Sequence, residues 1–324
     1  MRSLAKLANV LLAVGIASAA IGCVNSPGVS GHFEQTLTVN GPIVLDLKNG
    51  SGDAKITPGT SGQVHIRGDF TVRTWPWENS ERRAQEISEH PPIEQAGSLV
   101  SVGVNQFRME NMTVNYTIEV PAETELRGTV GSGEIHVRGI HGPARLRAGS
   151  GTIDAKQIEQ DTTAVAGSGT VDLTDIGGQV QATVGSGDVN LSGIQGELRV
   201  RAGSGDIVIE RSSGAIDSTT GSGDVKIRDA RADVRARSGS GDISIDGNPG
   251  PASSWEFHTA SGDVTLRVPS SASFRFYAHS VSWKIETNIP MVVEEHPRHE
   301  LRARVGDGQA RVQVVTASGD IVLQ

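Results

Sequence analysis

A Ser-Gly dipeptide followed by Asp, Glu or Thr recurs with its serine at positions 132, 150, 168, 186, 204, 222 and 240. Every interval is 18 residues. Seven copies in one register cannot arise by chance, and self-similarity at a fixed period is the signature of a solenoid, in which each repeat buries its apolar face only against its neighbours. Further copies at Ser51, Ser261 and Ser318 fall at irregular spacing.

Counting the residue after Ser-Gly as position 1, position 2 holds Ile135, Ile153, Val171, Val189, Ile207, Val225 and Ile243. Position 4 holds Val137, Ala155, Leu173, Leu191, Ile209, Ile227 and Ile245. Alternation with period two marks a half-buried strand. A second strand falls at positions 11, 13 and 15, as in Val180, Ala182 and Val184 or Leu198, Val200 and Ala202. Positions 13 and 15 are mostly small, which predicts a thin core there. Each unit therefore reads as strand, turn, strand, turn, and stacking the units gives two parallel sheets with coils about 4.8 Å apart. The sequence predicts an all-β, two-sheet β-solenoid of 18-residue coils, akin to a β-roll or β-helix. Its 40 glycines in 324 residues suit many short strands with tight corners, and 4% aromatics argue against a conventional aromatic core.

The flanks read as caps. Residues 37–126 hold strand patterns and one short helix at "ENSERRAQEIS", Glu78 to Ser88. The regular solenoid is expected over 127–268, and 269–324 returns to irregular strands. At the N-terminus, Arg2 and Lys6 precede a mostly apolar run ending in "AIGC". Such a run is an export signal, too short to span a membrane as a helix. Residues 1–22 are thus expected as the signal peptide, and 23–36 as a tether. Cys23, the single cysteine, excludes an intramolecular disulfide. Removing residues 1–22 deletes two positive charges and moves the formal net charge from −8 to −10. An acidic chain lacks the basic footprint of nucleic-acid binding.

The Cys23 segment resembles the bacterial lipoprotein signal, with Ala20 where leucine is commoner. That resemblance implies lipidation of Cys23 and, in a diderm bacterium with Val24 following, an outer-membrane lipoprotein. In a larger resemblance, "VNYTIEVP" (Val114 to Pro121) leads into the "GSGD" phrases, followed by "WKIETNIP" and "VGDGQARVQVVTASGDIVLQ". This order resembles a bacterial adhesin-like family of unknown function that includes the LiaG-type proteins, covering roughly residues 35–324. The resemblance implies a solenoid associated with the cell envelope and transfers no catalytic residue.

Two constellations could carry chemistry. Asp188, Asp206, Asp224 and Asp242 occupy position 1 of successive coils and should stack along one edge. Calcium-binding β-rolls also use an 18-residue coil, but with aspartates in both turns. Here the second turn shows no regular acid, so each carboxylate is expected to accept backbone N–H groups of its own turn. Outward positions 12 and 14 carry a broken arginine stripe: Arg145 and Arg147, Arg199 and Arg201, Arg235 and Arg237. It reads first as a solvated sheet face and second as a surface for anionic glycan or lipid phosphate. His296 and His299, in "EEHPRHE", are separated by Pro297 and read as a solvated loop. Trp75 and Trp77 read as anchors for the helix, with sugar stacking as the alternative.

The expectation is a non-enzymatic envelope lipoprotein, an adhesin-like, scaffold or signalling-accessory solenoid, without cofactor. Its partners would be the membrane, through the lipid, and an envelope glycan or protein. The alternatives are a polysaccharide-acting β-helix enzyme and a calcium-binding β-roll. Coils of constant length from 132 to 240 leave little chain for a catalytic cleft.

Overall fold

The computed structural model describes residues 28–73, 79–103, 111–281, 284–295 and 299–324. The signal segment, Cys23, Trp75, Trp77 and His296 lie outside the described residues. The chain forms two compact units, Met1–Gly142 and Pro143–Gln324. Among the described residues every element but one is a strand, as the period-two alternation requires.

In the second unit, strands that follow the Ser-Gly-Thr or Ser-Gly-Asp phrase form one sheet, and strands that end on its serine form the other. The first runs in the order Ile153–Ile158, Val171–Ile176, Val189–Ile194, Ile207–Ser212, Val225–Ala230, Ile243–Gly247 and Val264–Arg267. The second runs Ala144–Ser150, Thr162–Ser168, Val180–Ser186, Leu198–Ser204, Ile216–Ser222, Val234–Ser240 and Ser254–Ser261. Neighbours are parallel and, as far as Ile243–Gly247 and Val234–Ser240, pair residues 18 apart, as in Leu191 with Ile209 and Val200 with Ser218. Ile207, Ile209 and Val200 are fully buried, so positions 2, 4 and 13 line the core.

Close stacking explains the glycines. Gly205 has φ of 135°, and a Cβ there would run into the carbonyl of Gly187 in the preceding coil. A Cβ on Gly203 would lie 2.5 Å from the Gly185 carbonyl oxygen. Both glycines of this Gly-Ser-Gly thus sit at close backbone approaches, and the second, Gly205, also has a conformation essentially closed to side chains.

The irregular copies of the motif keep the same register. Ser240 pairs with Ser261 and Ser261 with Ser318, although the spacings are 261 − 240 = 21 and 318 − 261 = 57 residues. The intervening chain leaves the stack and returns in phase. The final coil is not at the edge: Ala310–Ser318 sits between Ser254–Ser261 and Phe274–Ser280, and Ile321–Leu323 between Val264–Arg267 and Ile285–Thr287. Residues 269–324 belong to the same compact unit as the coils. Glu300–Val305 and the edge strand Val292–Glu295 complete this end in antiparallel fashion.

The first unit follows the same logic. Val44–Ser51 pairs with Glu125–Ser132, placing Ser51 beside Ser132 across 132 − 51 = 81 residues. Ala54–Pro58 lies between Ile135–Ile140 and Met112–Val120. Beyond Met112–Val120 come Gln63–Arg73 and then Gly28–Thr38, both antiparallel. The tether expected over 23–36 is thus strand from Gly28 onward, because Phe33 and Leu37 bury against this sheet. The helix forms at Ser80–Glu89, with the Arg82 N–H donating to Asn79 Oδ1 at its start (2.9 Å) and Ala84 and Ile87 buried. A side-chain oxygen at that position satisfies an otherwise orphaned amide of the first turn.

Aromatic residues are few and concentrated. Phe33, Phe70 and Tyr116 cluster in the first unit, with Phe33 6.2 Å from Phe70 and 6.1 Å from Tyr116 between ring centroids. Trp255, Phe257, Phe274 and Phe276 fill the C-terminal end of the second. The buried Trp255 indole donates to the Ala232 carbonyl (2.9 Å), as a buried Trp must.

Candidate functional site

Position 1 of each coil follows the corner at Gly205 and its equivalents, which turns the aspartate side chain toward the next coil. The Asp206 N–H donates to Asp188 Oδ1 (2.9 Å), the Asp224 N–H to Asp206 Oδ1 (2.8 Å), and the Asp242 N–H to Asp224 Oδ1 (3.0 Å). The ladder continues through Asp263 onto Asp242 and Asp320 onto Asp263, both at 2.8 Å, and ends with the Lys284 N–H on Asp320 (3.1 Å). In the first unit the Glu134 N–H donates to Asp53 Oδ1 in the same way (2.9 Å). The expectation that each carboxylate serves its own turn is corrected: the amide it accepts lies one coil further on. A side chain in the corner can reach there because successive coils superpose at strand spacing. Among the described residues, no group of three or more His, Cys, Asp or Glu converges as metal ligands would.

Two related ladders were not visible in the repeat. In the second turn, Asp161 Oδ1 accepts the Gln179 N–H (2.9 Å) and Asp233 Oδ1 the Ser254 N–H (2.8 Å). At position 15 toward the C-terminal end, the hydroxyls of Thr220, Ser238, Thr259 and Thr316 donate to the carbonyls of Gly205, Gly223, Gly241 and Gly262 (3.0–3.2 Å). These buried hydroxyls are satisfied by the glycine carbonyl of the coil before. Their signal was the change from Ala or Val to Thr or Ser at one repeat position.

The arginine stripe lies on the outer face of the sheet containing Leu198–Ser204. Register places Arg199 opposite Asp217, Asp217 opposite Arg235, and Arg235 opposite Glu256. Arg235 donates to Glu256 (2.9 Å), Arg237 approaches Asp217 (3.4 Å), and Arg199 donates to Glu197 (2.8 Å). The hydrogen bond from Arg235 holds the Glu256 carboxyl below its ordinary range. Burial first, and then Arg237, lower the pKa of His258, which sits opposite Arg237. Arg147 faces Val165, and Arg201 faces Thr183 and Thr219. Neighbouring carboxylates thus neutralise Arg199, Arg235 and Arg237 locally. His299 adopts φ of 74° in the turn before Glu300–Val305.

The family match spans residues 45–324. The chain belongs to the Toastrack DUF4097 family. No curated protein matches it. Among solved structures, the Toastrack chain matches a "putative cell adhesion protein" from Clostridium sporogenes at 11% identity and a TM-score of 0.26, over 90% of this chain and 99% of that one. Among the described residues of this Toastrack chain, no helix is long and apolar enough to cross a membrane.

Proposed function

We propose that this Toastrack chain is a non-enzymatic cell-envelope protein, an adhesin-like or scaffold solenoid anchored through a lipid on Cys23. One observation carries the reading: the repeated carboxylates, the residues best suited to acid–base chemistry or to calcium, are each committed to an amide of the next coil. A general acid or base needs a carboxyl aimed at substrate, and a glycosidase needs two across a cleft. Here the carboxylates build the scaffold, and the regular coils offer a long rigid face for contact. The "AIGC" segment supports export and anchoring.

Protease shaving of intact cells producing the native protein, beside a Cys23→Ser form, tests this. Cleavage on whole cells, with the Ser form released from the membrane fraction, is the expected result. Protection until the envelope is opened would replace surface adhesion with a periplasmic scaffold or stress-signalling role, the role attached to LiaG-type proteins. Membrane retention of the Cys23→Ser form would remove the lipid anchor.

A further inference from the structure

The register of the C-terminal strands assembles a basic row that no stretch of sequence displays. Arg311 pairs laterally with Arg275, and Arg275 with Arg304, so three arginines lie side by side on adjacent strands. All three are exposed on the outer face, since their neighbours Val312, Phe274, Phe276, Ala303 and Val305 point into the core. At strand spacing the row extends over roughly 10 Å.

Like charges placed directly opposite across a sheet are unfavourable. Elsewhere on this face, Arg199, Arg235 and Arg237 are each matched by a carboxylate. In the row itself, Arg275 and Arg311 have no ion-pair partner among the described residues, and Arg304 reaches Glu294 only at 3.9 Å. Gly308 leaves room for the stems: a Cβ there would lie 3.0 Å from Arg304 Cδ and 3.3 Å from Arg275 Cγ. The next row adds Gln313, Tyr277 and Arg302, which are laterally paired, with the Arg302 guanidinium 5.6 Å from the Tyr277 ring centroid.

We propose that this outer face, centred on Arg311, Arg275 and Arg304, binds an anionic polysaccharide. A repeating anion supplies the counter-charge that the fold withholds, and guanidinium groups take carboxylate or sulfate in bidentate fashion. Adjacent strands present the three arginines in a line across the outer face of a sheet, which fits an extended polymer. Tyr277 and Gln313 in the adjoining row provide the ring edge and amide that sugars use. On a chain of net charge −8, a local cationic row also orients the approach of a polyanion. The assignment deepens the adhesin-like reading by giving it a ligand class.

The test measures binding of the full mature protein to immobilised heparin, as the sulfated and uronate-bearing probe. Neutral dextran and phosphatidylglycerol vesicles are run in parallel. Binding to heparin that weakens steeply with salt, and that falls by roughly a hundredfold in Arg275→Gln/Arg311→Gln, is expected at about tenfold per charge-assisted contact. Arg199→Gln, which removes a paired arginine, should bind like the native protein. The double variant should melt at the same temperature as the native protein or higher, because an unfavourable juxtaposition is removed. Undiminished heparin binding by the double variant, a lowered melting temperature, or binding to vesicles but not heparin would overturn the proposal. The measurement is made in solution, so it is independent of display on cells, and a failure here is distinguishable from failure of the adhesin-like reading.

Discussion

Truncating one rung of the aspartate ladder should cost little but definite stability, and the choice of replacement separates the explanations. In Asp206→Ala the Asp224 N–H loses its acceptor at 2.8 Å. A hydrogen bond to a charged group contributes about 1.5–3 kcal/mol; this one is only part-buried, so the lower end applies. Against that stands relief of repulsion from the carboxylates of Asp188 and Asp224, about 1 kcal/mol each before screening by salt. Screening at this separation roughly halves the repulsion, so the relief totals about 1 kcal/mol and the net loss is about 0.5–1 kcal/mol, or a fall in Tm of about 1–4 °C for a unit of this size. Asp206→Asn keeps the Oδ1 acceptor and removes the charge, so it should lie within about 0.5 kcal/mol of the native protein. Urea titrations followed by circular dichroism, with the slope checked for constancy, read both values. If Asn is as damaging as Ala, the charge itself is needed, the bond is not the reason for the ladder, and a bound cation is.

Other positions give sharper or opposite signs. Gly205→Ala places a Cβ against the Gly187 carbonyl at φ of 135° and should destabilise by at least about 2 kcal/mol, read as a lower urea midpoint. Tyr116 has a buried hydroxyl without a partner among the described residues, and burial pushes its pKa up, so Tyr116→Phe should be neutral or stabilising by up to about 1 kcal/mol in the same assay. The pKa of His258 is lowered from 6.5 in the fold, so as pH falls below about 6.5 the unfolded chain takes up its proton first and stability declines. His258→Gln should flatten that decline in Tm scans taken between about pH 7 and about pH 5. Glu256, whose carboxyl is held low by Arg235, should contribute stability above its ordinary value of 4.5 and lose it as pH falls further; Glu256→Gln removes that slope.

The coil was legible in the sequence because one short contact recurs: each Ser-Gly corner stacks on the last, and the glycine after the serine, at positive φ against the carbonyl of the coil before, has no room for a side chain. Ser261 and Ser318 looked irregular because linear spacing counts the inserted chain, whereas register counts only where the strand returns. The second-turn carboxylates Asp161 and Asp233 were hidden for a related reason, since that turn repeats in shape more than in sequence. Position 6 there holds Gly139, Gln157, Asp175, Gly193, Arg211 and Asp229, all at positive φ. The direction of the Asp206 and Asp224 side chains depends on coil superposition, which a single turn does not reveal. Arg311, Arg275 and Arg304 could not be joined from sequence, because the last coil inserts between earlier strands. The arginine stripe was placed correctly on an outer face, but its neutralisation by Asp217 and Glu256 needed the register.

The most direct test of the ladder is residue-resolved amide hydrogen exchange at Asp206, Asp224 and Asp242, with calcium and with chelator. Slow exchange at all three, unchanged by chelator and lost selectively at Asp224 in Asp206→Ala, is the predicted result. Fast exchange in the native protein, or protection that appears only with calcium, would contradict the assignment of these carboxylates to the scaffold.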